Sequence, residues 1–140
     1  MTPLATTAVL VGLVALATAL GLLWRWQNGR LRTAAGTEIV APGDIHGSLG
    51  GHATLLQFSS ELCTPCRATH RVLESLAAES SGVAHVELDI TRFPDLTDRF
   101  GILQTPTTLI LDRDGAVRAR IGGAARAADV RAHLDLLPTA

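Results

Sequence analysis

The 140-residue chain contains no lysine and no tyrosine, and all twelve of its basic side chains are arginine. That skew reads as a coding bias and carries no chemistry of its own. Cysteine is scarce: two residues are too few for a disulfide-stapled scaffold, so any cysteine role must be local. Charge is also sparse, at 18% of residues against 47% hydrophobic ones, which excludes a disordered chain. The formal net charge of −1 lacks the basic balance of a general nucleic-acid binder. Beyond Arg32, nine Arg face thirteen acids, a balance near −4, so no nucleic-acid partner is expected. A phosphate-cradling glycine loop, a nucleotide fingerprint and a Ser-His-Asp constellation are all missing from the sequence. The length allows one small domain, or one domain and an appendage.

The hydrophobicity is concentrated at the start. Thr2 to Trp24 carries no charge, and 16 of those 23 residues are apolar. At about 1.5 Å per residue, a helix of that length crosses the roughly 30 Å core of a bilayer. Trp24 and Trp26 close the run, where amphipathic rings favour the headgroup layer. Residues 1–26 are therefore expected to be a retained anchor in the plasma membrane. Two other readings stand beside it. Ala17-Thr18-Ala19 fits a signal-peptide cleavage site, although no Lys or Arg precedes the run and it continues through Leu23. A buried core helix is the other, although such helices are usually shorter and rarely come first. Small residues spaced by four, Ala8 to Gly12 and Ala17 to Gly21, arise by chance in an Ala-rich helix and give little support to helix pairing. Arg25, Arg30 and Arg32 follow the run and no Lys or Arg precedes it. The positive-inside rule then puts the remainder in the cytoplasm, with an extracytoplasmic domain as the alternative.

Residues 27–51 read as a juxtamembrane tether, with six Gly and the turn-forming Pro42, Asp44 and Ser48, and with Thr37–Val40 as a short edge strand. From His52 to Ala140 the pattern is that of a folded domain. Ala53–Ser59 is a short apolar run suited to a buried strand. Thr64–Ala78 has helical spacing and stops at Ser80-Ser81-Gly82. Val83–Ile90 alternates, setting Val83, His85, Glu87 and Asp89 against Ala84, Val86, Leu88 and Ile90. Pro94–Phe100 reads as a short helix ended by Gly101, and Thr107–Leu111 as a strand. Asp112-Arg113-Asp114-Gly115 supplies turn chemistry, Ala116–Ile121 returns, and Ala124–Leu137 forms a last helix with Val130, Leu134 and Leu137 inward. The order β-α-β-α-β-β-α predicts an α/β domain with a mixed four-stranded sheet and helices on both faces.

Both cysteines fall in Cys63-Thr64-Pro65-Cys66, between a buried strand and a helix. A helix N-terminus offers unpaired N–H groups and partial positive charge, which favour a thiolate at Cys63. Cys66, one turn further, would be shielded and would resolve a mixed disulfide, leaving a Cys63–Cys66 disulfide. Pro65 suits the first turn, where its missing N–H costs nothing. A metal-handling reading for a soft ion such as copper remains open, because His70 lies four residues after Cys66 and would complete a three-ligand set. A full zinc site is less well supported, since no second Cys-x-x-C exists. Inert cysteines in a binding module are the third reading.

The stretch from Ala53 to Leu137 resembles a compact thioredoxin-fold domain. The resemblance rests on Leu55-Leu56-Gln57-Phe58, Cys63-Thr64-Pro65-Cys66-Arg67, Phe100-Gly101-Ile102, Thr105-Pro106-Thr107 and Gly122. It implies a thiol–disulfide oxidoreductase, chiefly reducing, that needs no cofactor beyond its redox-active disulfide, and the apolar N-terminal run makes it a membrane-tethered one. It implies protein thiol or disulfide substrates, and an electron donor such as a thioredoxin reductase or a membrane thiol carrier. It also implies a cis proline at Pro106, with the Thr105 backbone beside Cys63 as a substrate-binding edge. Several positions depart from the family pattern. Leu62 stands where a Trp is usual, Gln57 where a buried acid is usual, Arg71 at the helix-kinking proline, and Glu87 at the lysine of the next strand. Gln57 is no general base, though it can order a water. The Glu87 carboxylate is then a candidate for proton transfer at the dithiol.

Overall fold

The structure is a computed structural model that describes residues 3–138. The first helix, α1 (Pro3–Gln27), has no buried residue along its length. Among the described residues it is the one helix long and apolar enough to cross a membrane.

Five strands follow in a single mixed sheet: β1 (Leu31–Thr33), β2 (Ala53–Ser59), β3 (Val83–Asp89), β4 (Thr107–Asp112) and β5 (Val117–Gly122). Their spatial order is β1-β5-β4-β2-β3. β2 and β3 are parallel and are joined by the crossover helix α2 (Thr64–Glu79); every other pair is antiparallel. β2 and β4 are buried on both faces along their whole length, their polar residues Thr54, Gln57, Thr107 and Thr108 included. The four expected strands are present, and a fifth, β1, comes from the stretch read as tether. It pairs with β5 in the register Leu31↔Ile121. Three residues are too few to show a periodicity, yet β5 would otherwise leave an unpaired edge there. Thr37–Val40 forms only an isolated bridge, Ile39↔Ala116. The amide of Val40 donates to Gly115 O at 2.8 Å and that of Val117 to Glu38 O at 2.9 Å, after which Pro42 starts a short 3₁₀ turn.

The sheet separates two apolar clusters. On one face α2 and α4 (Ala127–Leu134) bring Leu73, Leu76, Val130 and Leu134 against Leu55 and Ile121. On the other, α3 (Pro94–Arg99) and residues 34–50 cover Leu56, Phe58, Val86, Leu88 and Leu109. Val40 and Ile45 are buried there, so part of the expected tether is built into the core. The last helix is shorter than Ala124–Leu137, because Arg126 is still extended, but Val130, Leu134 and Leu137 do face inward.

The β4–β5 turn is held by one carboxylate. Asp112 accepts from Asp114 N at 3.0 Å, Ala116 N at 2.9 Å and Arg118 Nε at 2.7 Å. Gly115 closes the turn with φ +81°, and a Cβ there would stand 2.2 Å from Val40 O.

Candidate active site

β2 ends at Ser59, and three residues later the chain enters α2 through Cys63. Cys63 is the N-cap, with φ −91° and ψ 97°, and its Sγ accepts from Cys66 N–H at 3.2 Å. A sulfur thus takes the place of the usual capping oxygen, at the end of the helix where donors are unpaired. Pro65 lies in the first turn. The two sulfurs are joined in a disulfide with Cα atoms 5.2 Å apart. Cys66 is 2% exposed and Cys63 is half-buried, so the two ends of the bond differ in access. Leu62, beside Cys63, is almost wholly exposed.

The Thr105–Pro106 peptide is cis. The register Phe58↔Thr107 brings this loop alongside the end of β2. Ser60 Oγ and Thr105 Oγ1 lie 3.5 Å apart across the gap. Behind the proline, Gly123 N donates to Pro106 O at 2.7 Å, and Thr107 Oγ1 donates to Gln104 O at 2.8 Å.

A polar cluster lies beneath α2. Gln57 is fully buried, and its Nε2 donates to Cys66 O at 3.0 Å and reaches Glu87 Oε1 at 3.4 Å. Gln57 Oε1 then faces His85 Nε2 at 3.2 Å, which assigns the proton to that ring nitrogen. Glu87 Oε2 is 2.8 Å from His70 Nδ1, a close contact outside the angular range of a hydrogen bond. His70 Nε2 is 3.4 Å from Glu74, and the His70 and His85 rings meet edge to face at 4.9 Å. Burial lowers the pKa of His85 below 6.5, and the neighbouring His70 pushes it the same way. His85 was not singled out from the sequence. The signal was there, because the β3 alternation puts it beside Glu87 on the face that α2 covers.

Cys63, Cys66 and Glu87 line one open groove of about 590 Å³, with Arg67, Asp89 and Arg92 on its walls. The structure therefore brings together the Cys63–Cys66 pair, Gln57 and Glu87 on one side and the Thr105–Pro106 edge on the other. His70 does not join the sulfurs as a ligand set, because it is turned to Glu87 and Glu74. Among the described residues no group of three or more His, Cys, Asp or Glu is placed to hold a metal ion.

A half-buried Cys-x-x-C at a helix start, beside a cis proline at the head of an adjacent strand, defines a thiol–disulfide oxidoreductase domain. Residues 49–135 match the family profile described as Thioredoxin. The chain is 38% identical over 78 residues to a thioredoxin of Chlamydia muridarum, covering 56% of this chain and 76% of that one. It is 35% identical over 95 residues to a thioredoxin of Mycolicibacterium smegmatis, covering 66% and 82%. Two solved structures share the fold. Fasciola hepatica thioredoxin has a TM-score of 0.55 at 21% identity, covering 64% of this chain and 84% of that one. Oxidised mitochondrial thioredoxin 3 of Saccharomyces cerevisiae has 0.55 at 22%, covering 62% and 80%. The chain belongs to the thioredoxin family. α1 lies outside the matched residues.

Proposed function

We propose that the chain is a plasma-membrane-anchored protein-disulfide reductase with Cys63 as nucleophile and Cys66 as resolving thiol. The observation that carries this reading is the unequal exposure of the two cysteines at the start of α2, Cys63 half-buried and Cys66 buried. In the reduced state the helix N-terminus favours a Cys63 thiolate. That thiolate attacks one sulfur of a substrate disulfide; the other leaves as a thiolate and takes up a proton. Cys66 then loses its proton and attacks Cys63 Sγ, which releases the second substrate thiol. Two electrons and two protons pass to the substrate, and the Cys63–Cys66 disulfide remains. No further cofactor is required.

Glu87 takes the proton from Cys66, supported by its place in the same groove, and Gln57 holds the Cys66 main chain without acting as a base. The Thr105–Pro106 edge receives an extended substrate segment, strand to strand. Electrons return from a thioredoxin reductase if the domain faces the cytoplasm, as the Arg25, Arg30 and Arg32 flank favours, or from a membrane thiol carrier if it faces outward. Reduction of a protein disulfide by wild type against Cys63→Ser tests the reading; equal rates would sink it. A Cys66→Ser trap in intact cells names the substrate held on Cys63. A membrane-impermeant thiol reagent in the same cells reports which side the dithiol faces.

A further inference from the structure

The anchor joins the domain at the end that carries the dithiol. One row of residues runs straight across the sheet: Leu31 pairs with Ile121, Ile121 with Thr108, Thr108 with Gln57, and Gln57 with Glu87. α1 stops at Gln27, on the same side of that row as Cys63 and Pro106. Only residues 28–30 separate α1 from β1, and they are not slack. Gly29 N donates to Gly122 O at 2.6 Å, and Gly123 N donates to Pro106 O at 2.7 Å. The end of the anchor is thus two main-chain hydrogen bonds from the cis-proline loop. Gly29 has φ +80°, and a Cβ there would come 2.7 Å from Ala124 O, so the close approach requires glycine.

The outer surface of this pole suits a lipid boundary. Trp24 and Gln27 of α1 share a hollow of about 390 Å³ with Leu103 and Gln104, the residues leading to Thr105. Leu62 and Leu103 are 98% and 97% exposed. The Arg30 guanidinium lies 3.8 Å from the Trp26 ring centre, an arrangement suited to the headgroup layer. No residue of α1 is buried against the domain, so the helix leaves from this pole and does not fold back. β1 and β2 are three strand spacings apart, about 14 Å.

We infer that the dithiol works at the lipid surface, on disulfides in the segments that directly flank the membrane spans of other membrane proteins. This rests on the anchored-reductase reading above and adds its substrate class. A disulfide held beside the bilayer meets the Thr105–Pro106 edge at high effective concentration, whereas one held far above it meets the back of the domain.

The test uses the full chain, pre-reduced, in liposomes with two single-span substrate peptides. One carries its disulfide loop about five residues from the lipid. The other carries the same loop on a helical spacer of roughly 30 Å. The near disulfide is expected to be reduced at least about tenfold faster, and a Gly/Ser insertion of about 20 residues between Asn28 and Gly29 should bring the ratio towards one. Equal rates in the wild type, or a preference that survives the insertion, would overturn the inference. A soluble protein disulfide, assayed on detergent-solubilised wild type and insertion variant, separates the two levels. Its reduction at equal rates by both leaves the reductase reading standing whatever the ratio. Failure on all three disulfides removes that reading and this inference with it.

Discussion

Gln57 Nε2 donates to the main-chain oxygen of Cys66 across 3.0 Å, so a fully buried amide on β2 holds the first turn of α2 from below. The same amide accepts from His85 on β3. One side chain therefore ties together the strand before the cysteines, the helix that bears them and the strand after it. Replacing Gln57 with Ala leaves Cys66 O and His85 Nε2 without these partners. The expected loss is about 1–3 kcal/mol of stability, read as a lower denaturant midpoint at unchanged slope.

Glu87→Gln keeps the shape of the groove and removes its carboxylate. If Glu87 accepts the Cys66 proton, the resolving step slows by on the order of 10²-fold near neutral pH, and the pH–rate profile changes form. Stopped-flow decay of a Cys63 mixed disulfide measures that step directly. A profile identical to wild type would assign the carboxylate to its contacts with His70 and Gln57.

Protonation of His85 should make the fold weaker in mild acid. Burial, then the nearby His70, holds its folded pKa below 6.5, while Glu87 and Glu74 act in the opposite sense. As pH falls through about 6.5 the unfolded chain takes up the proton first, so stability declines from there down to the folded pKa. His133, also lowered by burial, adds to the same decline. His85→Gln is expected to reduce the slope of stability against pH below about 6.5 without abolishing it. Denaturant titrations at several pH values measure the slope, and proton NMR of the rings separates the two histidines.

Asp112 should show the opposite pH sense. Its burial raises the pKa, but hydrogen bonds from Arg118, Ala116 N and Asp114 N outweigh that and hold the carboxyl below 3.8. Its contribution is complete above the unfolded value and is lost as pH falls through the folded one. Asp112→Ala strips two amides and a guanidinium of their acceptor, with an expected cost of about 1–3 kcal/mol at pH 7. The variant should also lose less stability than wild type on acidification below about pH 4. Thermal melts at pH 7 and pH 3 test both statements.

The cysteine pair, its helix and the strands around it were legible because each carries a strong local pattern. Ala53–Ser59 is a short, mostly apolar run, and Cys63-Thr64-Pro65-Cys66 opens a helical repeat. The cis bond at Pro106 followed from family resemblance; no composition rule announces it. β1 was not legible, because three residues hold no period and Leu31–Thr33 is a strand only by virtue of the β5 edge. Val40 and Ile45 were hidden for a related reason: their burial is set by Gly115 and the far face of the sheet. The Gln57–His85–Glu87 cluster was half visible. Gln57 and Glu87 stood out as departures from the pattern, whereas His85 needed the β2–β3 register to bring it to the amide.

The Leu31↔Ile121 pairing also constrains how the molecule is made. The ribosome delivers α1 and β1 before the rest of the sheet, and the partner of β1 emerges some ninety residues after it. Until then β5 does not exist, and residues 34–50 have no hairpin to lie across. Contacts of such sequence separation form slowly, and an open strand edge is a hazard while it waits. With α1 as the membrane anchor proposed above, the chain passes that interval held at a surface, apart from most other nascent chains in the bulk. Swapping the first 26 residues for a soluble leader would therefore be felt first in the yield of folded protein.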